Sequence, residues 1–146
     1  MGRLVGIARR DAKRAQMQTL QQAEISHVSG VAEDFRGKPG DRQVTVISAD
    51  VWRKVCGELG KSIPWTTRRA NLLVEGIELP KEVGGEIQVG SVRLKVTGET
   101  DPCSRMEEQC AGLKAALQPD WRGGVCCRVL QGGPVAVGDA VTFVAP

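Results

Sequence analysis

The sequence predicts a mainly β protein: a closed or nearly closed β-barrel with two or three short helices. Three observations carry this. Eighteen glycines and seven prolines among 146 residues exceed the ordinary joint usage of about 12%, so turns are frequent and elements are short. Alternating and β-branched apolar runs recur along the chain. Only two stretches have helical periodicity. Many short strands leave edges that invite pairing with other chains, and closing the sheet removes them. The length suits one domain, residues 1–146, built on one core.

Residues 4–8 form the first expected strand, followed by a charged, irregular stretch over 9–20 that reads as a hairpin arm or loop. Residues 24–28 alternate polar and apolar, as a half-buried strand does. Gly37, Pro39 and Gly40 make 31–41 a loop, and the β-branched 44–47 a strand. A helix follows, with Asp50 as its expected cap, Gly60 as its end, and Val51, Val55 and Leu59 along one face. Strands are expected at 72–74 and in a hairpin over 83–96 that turns at Gly90-Ser91. Ser104 and Glu107 have capping-box spacing. Met106, Cys110, Leu113 and Leu117 then continue one apolar stripe to a stop at Pro119. Residues 125–130 form a buried strand, 131–134 a turn and 140–144 a last strand.

Composition excludes several classes. No apolar run reaches the ~18 residues that span a bilayer, and charges at Arg9, Arg10, Asp11, Lys13 and Arg14 break any signal peptide. No membrane association is expected, and the cytoplasm is the expected compartment. A net charge of +3 is too mild to indicate nucleic acid. Three Trp, two Phe and no Tyr are too few for a base-stacking surface. The five cysteines include no CxxC pair, and His27 is the single histidine. A disulfide scaffold and a histidine-rich metal site are therefore not expected. Neither common phosphate-loop motif is present, and His27 lies in a strand-like segment without a nucleophile elbow.

Cys103 carries the most chemical information. It follows Pro102 at the entrance of the second helical stretch. Unbonded amides and the positive helix end there favour a thiolate, as does Arg105, and would bring the thiol below its ordinary pKa of about 8.5. A thiolate serves soft-metal ligation, sulfur transfer or nucleophilic attack. The same position also suits a buried structural cysteine. Cys56 and Cys110 lie on apolar helix faces. Cys126 and Cys127 are neighbours on a strand and point to opposite faces. Arg68, Arg69 and Asn71 precede the strand at 72–74, Arg36 and Arg42 lie in the glycine-containing loop, and Arg122 precedes Gly123-Gly124. Arginines beside flexible backbone suit an anion such as phosphate, although solvated surface charge is the commoner fate of arginine.

Five segments together resemble the MOSC domain, named for the C-terminal part of molybdenum cofactor sulfurases. They are Arg69-Ala-Asn71-Leu-Leu-Val-Glu-Gly-Ile77, Gly90-Ser-Val-Arg-Leu-Lys-Val96, Asp101-Pro-Cys103-Ser-Arg-Met106, Arg122-Gly-Gly-Val-Cys-Cys-Arg-Val129 and Val137-Gly-Asp139. The likeness spans roughly residues 24–144. It implies a MOSC-type β-barrel associated with the molybdenum cofactor (molybdopterin). Cys103 matches the family's characteristic cysteine. The resemblance implies either a metal ligand, for reduction of N-oxygenated small molecules, or a sulfur carrier bearing a persulfide. Arg69 and Asn71 would face the pterin or its phosphate, with Arg36, Arg42, Arg68 and Arg122 completing an anion-binding set. The implied partners are a sulfur-donor protein such as a cysteine desulfurase, or an electron donor. A non-catalytic binding barrel is the remaining alternative. Many relatives carry a Gly-Asp-x-His-like element before the strand at 44–47; here Gly30-Val-Ala-Glu-Asp34-Phe-Arg36 has no histidine.

Overall fold

The computed structural model describes residues 2–12, 15–35, 37–100 and 104–146. The strands are β1 (Gly2–Arg9), β2 (Gln18–Leu20), β3 (Gln22–Ser26), β4 (Gly30–Val31), β5 (Val44–Ser48), β6 (Leu72–Glu75), β7 (Glu86–Val89), β8 (Val92–Glu99), β9 (Val125–Gln131), β10 (Gly133–Ala136) and β11 (Ala140–Val144). The helices are α1 (Ala49–Leu59), α2 (Ser104–Gln109) and α3 (Leu113–Leu117).

Seven strands close the barrel in the order β11-β7-β8-β9-β5-β6-β1, with β1 pairing back onto β11. Neighbours are antiparallel except β5 and β6, which α1 joins as a parallel crossover. β2 folds back on β1 with Ile7 opposite Leu20, so the stretch after residue 9 includes a hairpin arm. A separate three-stranded sheet runs β10-β3-β4. Alternation sorts the side chains into two cores. Val44, Val46, Leu72 and Val74 face the barrel interior with Leu4, Ile87, Leu94 and Val129. Ile47 and Leu73 face outward, where Trp52, Val55, Met106, Leu113 and Leu117 of the helices cover them.

The structure corrects three local expectations. Ser48 caps α1, its Oγ accepting from the Val51 amide at 3.2 Å. Asp50 instead pairs with Arg53 and accepts from the Gly76 amide at 2.9 Å. Gly60 does end α1, in the left-handed conformation that favours glycine. The second helical stretch is broken. α2 stops at Gln109, Gly112 adopts a positive φ of 87°, and α3 restarts the chain on the same apolar side. The Glu107 carboxylate accepts from the Gly112 amide at 2.9 Å, across the break; the capping box expected with Ser104 lies outside the described side chains. Finally, most of the expected turn at 131–134 belongs to strands. Pro134 sits opposite Glu24 in β10, at the edge of the small sheet, where its missing N–H is tolerated.

Candidate functional site

The site is built around the chain that leads to Cys103. β8 ends at Glu99, and the buried Thr100 that follows is held from two sides. Its amide donates to the Gly124 carbonyl at 3.0 Å. Its carbonyl accepts from Arg68 Nη2 at 3.1 Å, and Arg68 Nε donates to the Gly123 carbonyl at the same distance. Arg68 is only 6% exposed. It ties the end of β8 to the entry of β9.

Both glycines are required by close approach. A Cβ on Gly123 would lie 2.4 Å from the Thr100 carbonyl oxygen. Gly124 has a φ of 93°, and a Cβ there would lie 2.2 Å from the Val46 carbonyl oxygen. On the far side, α2 starts at Ser104 and buries Met106 in the outer core. The described chain is thereby anchored at Thr100 on one side of Cys103 and at Met106 on the other. Cys103 itself lies outside the described residues, together with Asp101, Pro102 and Arg36. The short α2 also changes the electrostatic argument. An uninterrupted helix to Leu117 would bring a larger dipole to its entrance than six residues do.

The remaining basic and amide residues do not converge on one point. Arg69 adopts a positive φ of 64° after the 3₁₀ turn Trp65–Arg68, and its guanidinium donates to the Ala15 carbonyl. Asn71 is buried between three segments. Its Oδ1 accepts from the Thr45 amide at 3.0 Å, and its Nδ2 donates to the Ala8 carbonyl and to Asp34 Oδ2, each at 3.2 Å. Arg122 forms a two-pronged pair with Glu58, at 2.8 and 3.0 Å, and also donates to the Ala116 carbonyl at 3.1 Å. That hydrogen bond holds the Glu58 carboxyl below its ordinary range and raises the Arg122 guanidinium further. Arg42 is exposed.

A phosphate cradle needs donors aimed at a guest. Arg68, Asn71 and Arg122 aim theirs at the protein's own acceptors. As ligands for the phosphate of a pterin cofactor, these three do not fit.

The other cysteines divide by environment. Cys127 faces the barrel interior, fully buried, and burial pushes its thiol far above the ordinary value. Cys126 faces outward yet is covered, its Sγ lying 3.3 Å from Thr100 Oγ1. Cys56 and Cys110 are half-buried; Cys110 Sγ lies 3.8 Å from Lys61 Nζ. His27 is exposed at a turn, where its carbonyl accepts from Gln43 Nε2 at 2.6 Å. Gln43 is a residue the sequence did not single out. Buried at the entry of β5, it also receives the Val129 amide on its Oε1 at 3.0 Å and donates to the Gly37 carbonyl at 3.1 Å. Thr100 was likewise missed, although it directly follows β8 and precedes Asp101-Pro102.

Among the described residues, no group of three or more His, Cys, Asp or Glu side chains is arranged to hold a metal ion. No helix of the described residues is long and apolar enough to cross a membrane.

The model of the MOSC domain family matches residues 15–142. Among solved structures, the YuaD protein from Bacillus subtilis superimposes with a TM-score of 0.83 at 19% identity, covering 100% of this chain and 97% of that one. YiiM from Geobacillus stearothermophilus gives a TM-score of 0.70 at 16% identity, over 99% of this chain and 73% of its own. YiiM from Escherichia coli gives 0.73 at 13% identity, over 99% and 70%. At these identities the likeness establishes the fold. None of the curated proteins compared matches the chain.

Proposed function

Because this chain belongs to the MOSC domain family, we propose that it serves the sulfur chemistry of the molybdenum cofactor, with Cys103 as a sulfur carrier. MOSC domains are generally associated with that cofactor. The observation that carries the reading is the anchoring of Thr100 and Met106 on either side of Cys103, while Arg68, Asn71 and Arg122 work inside the fold. A carrier needs a positioned thiolate and a partner; it needs no built-in cradle for a pterin phosphate.

The step is a thiol–persulfide exchange. The Cys103 thiolate attacks the outer sulfur of a persulfide on a donor protein, of the cysteine desulfurase class. The donor's own sulfur leaves as a thiolate, so one sulfur atom moves and no external oxidant or reductant is required. Arg68, Thr100, Gly123 and Gly124 are positioning residues in this scheme: they fix the strand from which residues 101–103 depart.

The test is the intact mass before and after incubation with a cysteine desulfurase and L-cysteine. The account expects a gain of one sulfur atom, abolished by Cys103→Ser and retained by Cys110→Ser. No adduct on the wild type, or an adduct that survives Cys103→Ser, would overturn it.

A second reading keeps the cofactor resident, with Cys103 as its metal ligand and N-oxygenated small molecules as substrates. The family's association favours it, and Arg42 is exposed. When bound, the group would supply the redox chemistry. Molybdenum and pterin that co-purify near one per chain from a cofactor-producing host would select this reading; their absence would select the carrier.

A further inference from the structure

We propose that a cavity at the carboxyl ends of β5 and β6 binds a small zwitterionic molecule with an apolar body. The cavity encloses about 450 Å³, within the range of small-molecule sites. Three segments wall it: the first turns of α1, the loop 76–81 after β6, and residues 120–124 before β9. β5 and β6 are the parallel pair of this barrel, and the ends of parallel strands are where loops and a crossover helix leave such a crevice.

The lining specifies the guest. Trp121, Leu79 and the buried Pro80 supply an apolar surface. Trp121 and its neighbour Asp120 both hold a φ of 54°, the left-handed region that non-glycine residues rarely adopt, so this wall is kept in an unfavourable conformation. Two of the charged residues are engaged elsewhere: Asp50 with Arg53 and the Gly76 amide, and Arg122 with Glu58. The other charges of the lining are two exposed cations, Lys54 and Lys81, and two exposed carboxylates, Glu78 and Asp120; Lys54 also feels Glu58, and Asp120 feels Arg122. Matched pairs of opposite sign suit a guest with one anionic and one cationic group, its carboxylate toward the lysines and its ammonium toward the acids. Gly124 belongs both to this wall and to the clamp on Thr100. A guest here would lie beside the strand that leads to Cys103, yet the proposal stands on the lining alone.

The experiment is a titration with L-phenylalanine, read by NMR at the indole of Trp121. N-acetyl-L-phenylalanine and L-phenylalaninamide each delete one charge. Saturable binding of the zwitterion is expected, with each analogue weaker by about fivefold or more. Lys54→Gln and Glu78→Gln, both at the surface, should each weaken the parent compound while leaving the unfolding midpoint unchanged. Cys103→Ser should bind as wild type does, so failure here and failure of the carrier reading register separately. A shift that does not saturate, analogues that bind as tightly as the parent, or indifference to both surface variants would overturn the proposal.

Discussion

Arg68 is a guanidinium taken out of water and committed to two backbone carbonyls, those of Thr100 and Gly123. Replacing it with methionine keeps much of the volume and removes both donors. A buried acceptor left without its donor costs about 1–3 kcal/mol. Arg68→Met is therefore expected to lower unfolding stability by about 2–5 kcal/mol in urea titrations, and to slow sulfur transfer to Cys103. Arg68→Lys should recover only part of the loss, because an ammonium lacks the fixed fork that spans both carbonyls. Gly124→Ala attacks the same clamp from the other side. It combines a positive φ with a 2.2 Å collision against Val46 backbone, and is expected to cost at least as much as Arg68→Met. Asn71 is a comparable hub: Asn71→Ala leaves the Thr45 amide and the Ala8 carbonyl without their side-chain partner, for a loss of about 2–4 kcal/mol. Near-wild-type stability of any of these variants would contradict the roles given to them.

The elements show where sequence periodicity is informative and where it fails. Strands with one face in a core announce themselves by alternation, as β8 does from Val92 to Val96 and β5 does with its β-branched run. The break between α2 and α3 was not legible. Met106, Leu113 and Leu117 still land on one side after the interruption at Gly112, so the apolar stripe carries no mark of it. The α1 cap was misassigned because Asp50 is a good cap by type, whereas in the fold Gly76 and Arg53 occupy it and Ser48 caps instead. β10 was hidden by Gly-Gly-Pro, which reads as a turn unless β3 lies beside it. The pair of Arg122 with Glu58 joins the entry of β9 to α1, and its pH dependence follows from the depressed Glu58 carboxyl. A lowered folded-state pKa stabilises above the unfolded value of 4.5, and that contribution disappears as pH falls through the folded value. Glu58→Gln is thus expected to melt slightly below wild type at about pH 7, with a smaller gap at about pH 3. The pair is at the surface, so the difference should be small and should shrink in salt. An equal gap at both pH values would remove the pair from the account.

At the scale of the molecule, the barrel was legible because so many half-buried strands can hide their edges only by closing. The candidate site was legible only as a list of residues. Its residue types and their order along the chain could be read, whereas their partners could not. Arg68 reaches Thr100 over 32 positions, and Asn71 reaches Asp34 over 37 and Ala8 over 63. Only the closed fold turns arginines that look like ligand donors into braces. On the proposed reading the labour divides: the barrel and its braces hold Thr100 on one side and Met106 on the other, and the Cys103 thiol would carry the sulfur. The most direct measurement is residue-resolved alkylation of all five cysteines in the native protein across pH, by peptide mass spectrometry. Cys103 should react fastest, with its rate half-maximal below the ordinary thiol value of about 8.5, while Cys126 and Cys127 stay unmodified until the protein unfolds. A Cys103 protected as fully as Cys127, or one that reacts no faster than Cys56 and Cys110, would contradict the account.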